Sequence, residues 1–252
     1  MIISKFFSIN RAIVLITAVL LSFMNGELKR IYIQDEIHID STRNRTIPIR
    51  IIALRQPKNN RYKGLILFSH GWDQNHGSAY KSYNFITNFL ALKGYLIASV
   101  QHEQPSDEPL ATGDSIRIKR MPNWERGAAN LLFVKNTLLT RFREQLPSDK
   151  IILIGHSNGG DMSVLYTTKF PEDVSHLITY DNRRMNFPCD STVKMLTLRS
   201  SNELPDPGVL DYTQCGLSII PTKIIHNNFT NYASNSEKKL IRRLTLRFLE
   251  GE

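Results

Sequence analysis

The sequence predicts an α/β domain in which a mostly parallel sheet carries helices on both faces. Strand-like and helix-like segments alternate from about residue 64 to the end, and the strand-like segments there are short and continuously apolar. Continuously apolar strands are typical of a sheet covered on both sides. The 252 residues, 41% of them hydrophobic, suffice for one large domain or two small ones, and no repeat period divides them.

The first two strand-like segments differ from the others because they alternate apolar and polar residues. They are RIYIQDEIHID (Arg30–Asp40) and RTIPIRIIALRQP (Arg45–Pro57). Alternation of this kind indicates half-buried strands, and two in succession predict an antiparallel pair at one edge of the sheet.

The later elements follow in βα order. The predicted strands are GLILFSHGW (Gly64–Trp72), YLIASVQHE (Tyr95–Glu103), KIILIG (Lys150–Gly155), HLITYD (His176–Asp181), VKMLTLRSS (Val193–Ser201) and TKIIHN (Thr222–Asn227). The predicted helices are Ser78–Gly94, Pro122–Leu146, Asn158–Pro171 and Ser236–Glu250, where Gly94 and Pro171 serve as stops and Pro122 lies in a first turn.

The N-terminus has the features of a targeting signal. Lys5 and Arg11 precede the apolar run Ala12–Phe23, which is shorter than the roughly 20 residues of a membrane span. We therefore predict a signal peptide in residues 1–26, with an uncleaved membrane anchor as the alternative, and a single domain in residues 27–252. This signal predicts a secreted or periplasmic protein.

The net charge of +9 raises the question of a nucleic-acid partner. The basic residues are scattered singly or in pairs, without a stripe of interleaved aromatic residues, so a solvated surface is the preferred interpretation. No GxGxxG follows the first strands, and no His/Cys cluster has metal spacing. We expect no cofactor, no metal and no nucleic-acid partner, and the oligomeric state is left open.

Two cysteines, Cys189 and Cys215, would lie in an oxidising compartment if the chain is exported. They are equally compatible with one disulfide bond and with two unpaired core thiols.

The strongest motif is GHSNGG (Gly155–Gly160), at the point where a buried strand ends and a helix begins. A GxSxG turn of this kind holds its serine in a strained conformation, and the flanking glycines give it room. Ser157 would then lie at the carboxyl edge of the sheet and at a helix N-terminus, so we predict that it is a nucleophile. The alternative is a glycine-rich turn that only packs the helix on the sheet.

A serine nucleophile needs a base, and in this strand–turn–helix arrangement the base follows it in the chain. Of the seven histidines, only His176 and His226 follow Ser157. His176 would begin a strand at the opposite edge of the sheet. His226, in a loop before the last helix, is therefore the predicted base.

The acid that orients the histidine should lie in a loop after a late strand. Asp206 is our first choice, because Pro207-Gly208 would hold it in a turn. Asp181 and Glu203 are the alternatives, and strand-end position does not separate the three.

An oxyanion hole requires two backbone N–H groups. We assign one to Asn158, the residue after the nucleophile, and the other to Trp72, in the loop after Gly64–Trp72. His70 is expected to stabilise that loop rather than to transfer protons.

The polar segment Gln101–Gly127 leaves a neighbouring strand and could form a flap over the site, with Trp124 near its base. A plain surface excursion is the alternative.

Together FSHGW (Phe68–Trp72), GHSNGG, ELPDPGV (Glu203–Val209) and IIHNN (Ile225–Asn228) give the chain a resemblance to the α/β-hydrolase superfamily. Within it the chain looks like small serine esterases of the dienelactone-hydrolase-like group, including proteins similar to platelet-activating-factor acetylhydrolases. The resemblance implies hydrolysis of a small or medium carboxylic ester through a serine-bound acyl intermediate. No large insertion separates the predicted strands after Ser157, so we expect no large lid domain. A serine peptidase or amidase, and a catalytically silent binding protein, are the alternative functions.

Overall fold

The computed structural model describes residues 30–189, 192–211 and 216–252, and within these ranges it contains eight strands and four α-helices. The strands are β1 (Ile31–Asp40), β2 (Arg45–Leu54), β3 (Leu65–Ser69), β4 (Leu96–Val100), β5 (Ile151–His156), β6 (Val174–Tyr180), β7 (Lys194–Arg199) and β8 (Leu217–Pro221). The helices are α1 (Asn84–Leu92), α2 (Ile116–Phe142), α3 (Ser157–Lys169) and α4 (Asn235–Glu250).

All eight strands form one sheet in the order β1-β2-β4-β3-β5-β6-β7-β8. Strands β3 to β8 are parallel, and the β1–β2 hairpin adds antiparallel to β4 at one edge. The predictions of a mostly parallel sheet and of an antiparallel edge pair are confirmed. Parallel pairing brings the carboxyl ends of β5, β6 and β7 to the same edge of the sheet, which is where ligand sites form in such folds.

Each parallel strand contributes to two separate cores because successive side chains point to opposite faces. In β3, Leu65 and Leu67 face the core that contains α2 and α3, whereas Ile66 and Phe68 face the core of α1 and α4. All four side chains are buried. This explains the continuously apolar strand pattern in the sequence.

Two predicted elements are placed incorrectly. Helix α2 begins at Ile116, so Pro122 lies inside the helix rather than in its first turn. The last strand is Leu217–Pro221, and the segment predicted as that strand instead leads into a 3₁₀ turn, His226–Phe229. The position beside β7 is occupied by β8, and the segment Thr222–Asn227 continues from the end of that strand.

The C-terminal helix has a strong start signal. The Ser234 side chain accepts the backbone N–H of Glu237, and the Glu237 side chain accepts the backbone N–H of Ser234. Such a capping box satisfies two backbone donors at the helix start.

Cys189 is disulfide-bonded, which decides between the two alternatives for this residue. Cys215 and the predicted signal in residues 1–26 lie outside the described residues. Within the described ranges, none of the helices combines the length and the hydropathy that a membrane span requires.

Candidate active site

Ser157 lies at the junction of β5 and α3, where the chain turns sharply. Its backbone φ is 52°, in the left-handed region that residues other than glycine rarely adopt. A Cβ at Gly155 would overlap the carbonyl oxygen of Gly159, and a Cβ at Gly159 would overlap that of His70. The two glycines are therefore required for the close packing of α3 on the ends of β3 and β5, and this packing holds the serine in its strained conformation.

His226 reaches Ser157 from the loop after β8. The Ser157 hydroxyl lies 2.9 Å from His226 Nε2, and the imidazole side chain is 13% exposed. His176, in contrast, lies near the beginning of β6, where its ring packs against Phe248.

Asp181 is the carboxylate that contacts His226. It follows β6 directly, has a φ of 59° and is fully buried. Its Oδ2 lies 2.6 Å from His226 Nδ1, while its Oδ1 accepts the backbone N–H of Ser200 and ion-pairs with Arg199. Burial would raise the pKa of Asp181, but the hydrogen bond with His226 and the Arg199 charge outweigh it and hold that pKa below its ordinary value. The carboxylate is therefore ionised and fixes His226 with Nδ1 as the donor and Nε2 free to accept from Ser157.

The expectation that Asp206 orients His226 is wrong, because Asp206 is bound elsewhere. Both of its carboxylate oxygens accept from Arg184 Nη1, at 2.8 and 3.0 Å. Glu203 ion-pairs with Arg183 at 2.8 Å. The loop after β7 contributes a different contact, in which Asn202 Oδ1 accepts the backbone N–H of His226.

Trp72 and Asn158 both line the pocket at Ser157. Among the described residues, no acceptor contacts the backbone N–H of either residue. Two free donors beside a serine hydroxyl are what an oxyanion hole provides.

A buried hydrogen-bond chain that the sequence pattern does not predict connects the loop that carries Trp72 to the loop that carries His226. The Tyr83 hydroxyl accepts the backbone N–H of Gly71 and donates to His156 Nδ1, both at 2.9 Å. His156 Nε2 donates to the carbonyl oxygen of His226 at 3.1 Å. Burial, together with the adjacent His226, lowers the pKa of His156 to about 3, so this imidazole is neutral and can accept from Tyr83. The position of His156 beside Ser157 was the available signal, whereas nothing in the sequence singles out Tyr83.

A second network holds Asn158. Its side-chain oxygen accepts from the Trp124 indole at 2.7 Å, and its amide donates to Glu103 and to Asn123. Glu103 also accepts the backbone N–H groups of Asp73 and Asn75, so one buried carboxylate connects both segments of the proposed oxyanion hole.

The segment Gln101–Gly127 divides into a buried start, an exposed loop and the first turns of α2. Trp124 does not lie at the base of a flap but is fully buried beneath Asn158. Arg45, the first residue of β2, holds the loop in place through an ion pair with Asp107 of the loop. Of this segment, Arg120 lines the pocket.

The pocket has a volume of about 500 Å³. Its lining residues are Gly71, Trp72, Tyr83, Arg120, His156, Ser157, Asn158, Asp161, Arg183, Arg184, His226, Asn227, Thr230 and Tyr232. In the part of the chain that the structure describes, no group of three or more His, Cys, Asp or Glu residues could hold a metal ion.

A family model described as alpha/beta hydrolase fold matches residues 65–200. No curated protein sequence matches the chain. Among solved structures, a dienelactone hydrolase from Anabaena variabilis ATCC 29413 is 15% identical with a TM-score of 0.56, and the match covers 87% of this chain and 98% of that one.

Esterases from the fungus Rhizomucor miehei give a TM-score of 0.63 at 12% identity, over 87% of this chain and 82% of the other. A dienelactone hydrolase-like promiscuous phosphotriesterase from metagenomic libraries gives 0.61 at 10% identity, over 88% and 98%. At these identities the similarity shows the fold alone.

Proposed function

Because the chain belongs to the alpha/beta hydrolase fold family, we propose that it is a serine hydrolase that cleaves a small or medium carboxylic ester. The observation that carries this proposal is the continuous chain from Ser157 through His226 to Asp181, with contacts of 2.9 and 2.6 Å. The esterase and dienelactone hydrolase names of the structural neighbours agree with it.

In the first half-reaction the Ser157 oxygen attacks the ester carbonyl, and its proton passes to His226 Nε2. Asp181 stabilises the imidazolium that forms, since it is an ionised, buried carboxylate on the opposite ring nitrogen. The negative charge on the carbonyl oxygen is stabilised by the backbone N–H groups of Trp72 and Asn158. Collapse of the tetrahedral intermediate breaks the C–O bond, and His226 returns the proton to the leaving alkoxide.

In the second half-reaction water replaces the alcohol. His226 removes a proton from the water, the hydroxide attacks the acyl-serine, and the proton returns to Ser157 as the carboxylic acid leaves. The same groups perform both steps, so no further catalytic side chain is required.

The test is reaction of the purified chain with a fluorophosphonate probe, alongside turnover of 4-nitrophenyl esters and peptide 4-nitroanilides. We expect labelling and ester turnover in the wild type and neither in Ser157→Ala. Faster cleavage of the anilides would favour a peptidase or amidase. A folded wild type that neither labels nor turns over substrate would favour a silent binding protein.

We also propose that the protein is exported. The basic and then apolar N-terminal sequence supports this, as does the disulfide bond at Cys189, because disulfides persist in oxidising compartments. Expression of the full chain in a bacterial host, followed by fractionation and N-terminal sequencing, tests it. A mature N-terminus near residue 27 would indicate a cleaved signal, membrane retention with an intact N-terminus would indicate an anchor, and a cytoplasmic full-length chain would contradict export.

A further inference from the structure

The pocket beside Ser157 contains more positive charge than the proposed reaction requires. Three arginines line it, Arg120, Arg183 and Arg184, whereas Asp161 is the one carboxylate in its lining among the described residues. None of the four takes part in the steps above. Their presence therefore needs another explanation.

Two of the arginines form ion pairs with carboxylates outside the pocket lining. Arg183 ion-pairs with Glu203, and Arg184 ion-pairs with Asp206. These ion pairs reduce the positive charge that the two arginines contribute to the pocket, although both residues line it.

Asp161 is likewise occupied. One of its carboxylate oxygens accepts the backbone N–H groups of Arg183, Arg184 and Met185, at 2.9 to 3.2 Å. Burial, which outweighs these hydrogen bonds, raises the pKa of Asp161 to about 6. This carboxylate stabilises the loop after β6, and it makes no ion pair with Arg120 in the described structure.

Arg120 differs from its neighbours because it has no carboxylate partner among the described residues. Its single hydrogen bond is from Nε to the carbonyl oxygen of Ala111, at 2.8 Å, which leaves both terminal nitrogens free. Burial, and then the charge of Arg184, lowers its pKa, yet a guanidinium stays protonated in proteins. The two free terminal nitrogens of this half-buried cation are therefore available to an anionic ligand in the pocket.

From these contacts we infer that the substrate carries an anionic group, such as a carboxylate, that Arg120 binds beside the reacting ester. A guanidinium presents two parallel N–H donors that match the two oxygens of a carboxylate. This inference rests on the proposed ester hydrolysis and specifies its substrate class.

The first test compares two esters with acyl chains of equal length, 4-nitrophenyl butyrate and mono-4-nitrophenyl succinate. The rate of each ester in the same buffer without enzyme is subtracted, because the succinate carboxylate attacks its own ester. We expect a higher kcat/KM for the succinate ester, and Arg120→Gln should reduce that value about 10- to 100-fold, as expected for a hydrogen bond to a charged group. The butyrate value should change less than about 3-fold, since the neutral chain makes no such contact.

A second pair, phenyl acetate and 4-carboxyphenyl acetate, places the charge in the leaving group. An Arg120-dependent preference in either pair supports the inference and shows which side of the ester carries the anion. Arg120→Lys should retain part of the preference, because lysine keeps the positive charge but lacks the two parallel N–H donors of a guanidinium. The exposed Arg117→Gln, on the same helix, is the matched control and should leave the ratio unchanged.

Two negative results are distinguishable. If both esters of each pair are hydrolysed without charge preference, or if Arg120→Gln reduces both members equally, the inference is wrong and the hydrolase proposal stands. If no ester is hydrolysed and the fluorophosphonate probe does not react, the proposed function itself is wrong. The thermal unfolding temperature of Arg120→Gln, compared with that of the wild type, separates a loss of rate from a loss of fold.

Discussion

His226 and Asp181 are 45 positions apart in the sequence, and their side chains meet at 2.6 Å. Asp206, much nearer to His226 along the chain, is held by Arg184 instead. The difference arises because the end of β6 lies beside the ends of β5 and β7, so that the first residue after β6 points to the edge where Ser157 is placed. This pairing decides which carboxylate supports the histidine, and it leads to the first prediction.

Replacement of Asp181 by Asn should abolish most of the ester hydrolysis while the protein stays folded. Asn cannot stabilise the imidazolium and favours the wrong tautomer of His226, an effect that lowers kcat by about 10⁴-fold in a serine protease triad. We expect a loss of about 10³- to 10⁴-fold in kcat, measured with a 4-nitrophenyl ester.

Asp206→Asn is the matched control for that measurement. Its carboxylate is 32% exposed and pairs with Arg184, so we expect a change in stability below about 1 kcal/mol and a much smaller change in kcat. Equal losses in the two variants, or a larger loss in Asp206→Asn, would contradict the assignment of Asp181.

The backbone of Ser157 should carry measurable strain. At a φ of 52°, a residue with a Cβ is disfavoured by about 1 kcal/mol or more, whereas glycine is not. We expect Ser157→Gly to unfold at a higher denaturant concentration than Ser157→Ala. The free energies of unfolding of the two variants should differ by about 1 kcal/mol. Both variants lack the hydroxyl, so the comparison isolates the backbone, and an Ala variant of equal or greater stability would argue against strain at this turn.

The stability of the protein should fall in mild acid because of His156. Its pKa is lowered to about 3 in the folded state, against about 6.5 in an unfolded chain. Between these values the unfolded state binds a proton that the folded state does not bind, so the free energy of unfolding decreases as the pH falls. The contribution is up to about 1.4 kcal/mol per pH unit.

Denaturant unfolding of the wild type and of His156→Gln at pH 7, 6 and 5 measures this dependence. The variant should show a shallower decrease with falling pH, whatever its stability at pH 7. Identical slopes in the two proteins would show that His156 is not the buried neutral group described above.

Glu103 should influence catalysis by position, without touching the substrate. Its two oxygens accept from the backbone of Asp73 and Asn75 on one side and from the Asn158 amide on the other. In Glu103→Gln one of these donors must face the new NH₂ group. We therefore expect a decrease in kcat of about 10-fold with little change in KM, as for loss of transition-state binding.

Exposed Glu108→Gln, in the same loop, is the control and should leave both constants unchanged. An effect of Glu103→Gln on KM alone would indicate a role in substrate binding rather than in placing the N–H groups of Trp72 and Asn158.

The local patterns of the sequence determined the sheet, its antiparallel edge, the helices on both faces and the serine turn. These features depend on short-range physics: alternation of side chains along a strand, the conformational freedom of Gly155 and Gly159, and the apolar runs that require burial on two faces. Chain order was also enough to select His226 over His176 as the candidate base.

The tertiary structure alone decided which carboxylate meets His226, which networks hold the loops and which charges line the pocket. Asp181, Asp206 and Glu203 all follow strands, and the one local signal that separates them, Pro207-Gly208 after Asp206, favours the wrong residue. Their roles are set by partners from other segments of the chain. Arg184 binds Asp206, Arg183 binds Glu203, and Arg199 and Ser200 hold Asp181 toward the histidine. Ion pairs and buried hydrogen bonds depend on distances between side chains, which exist only when the strands are paired in register.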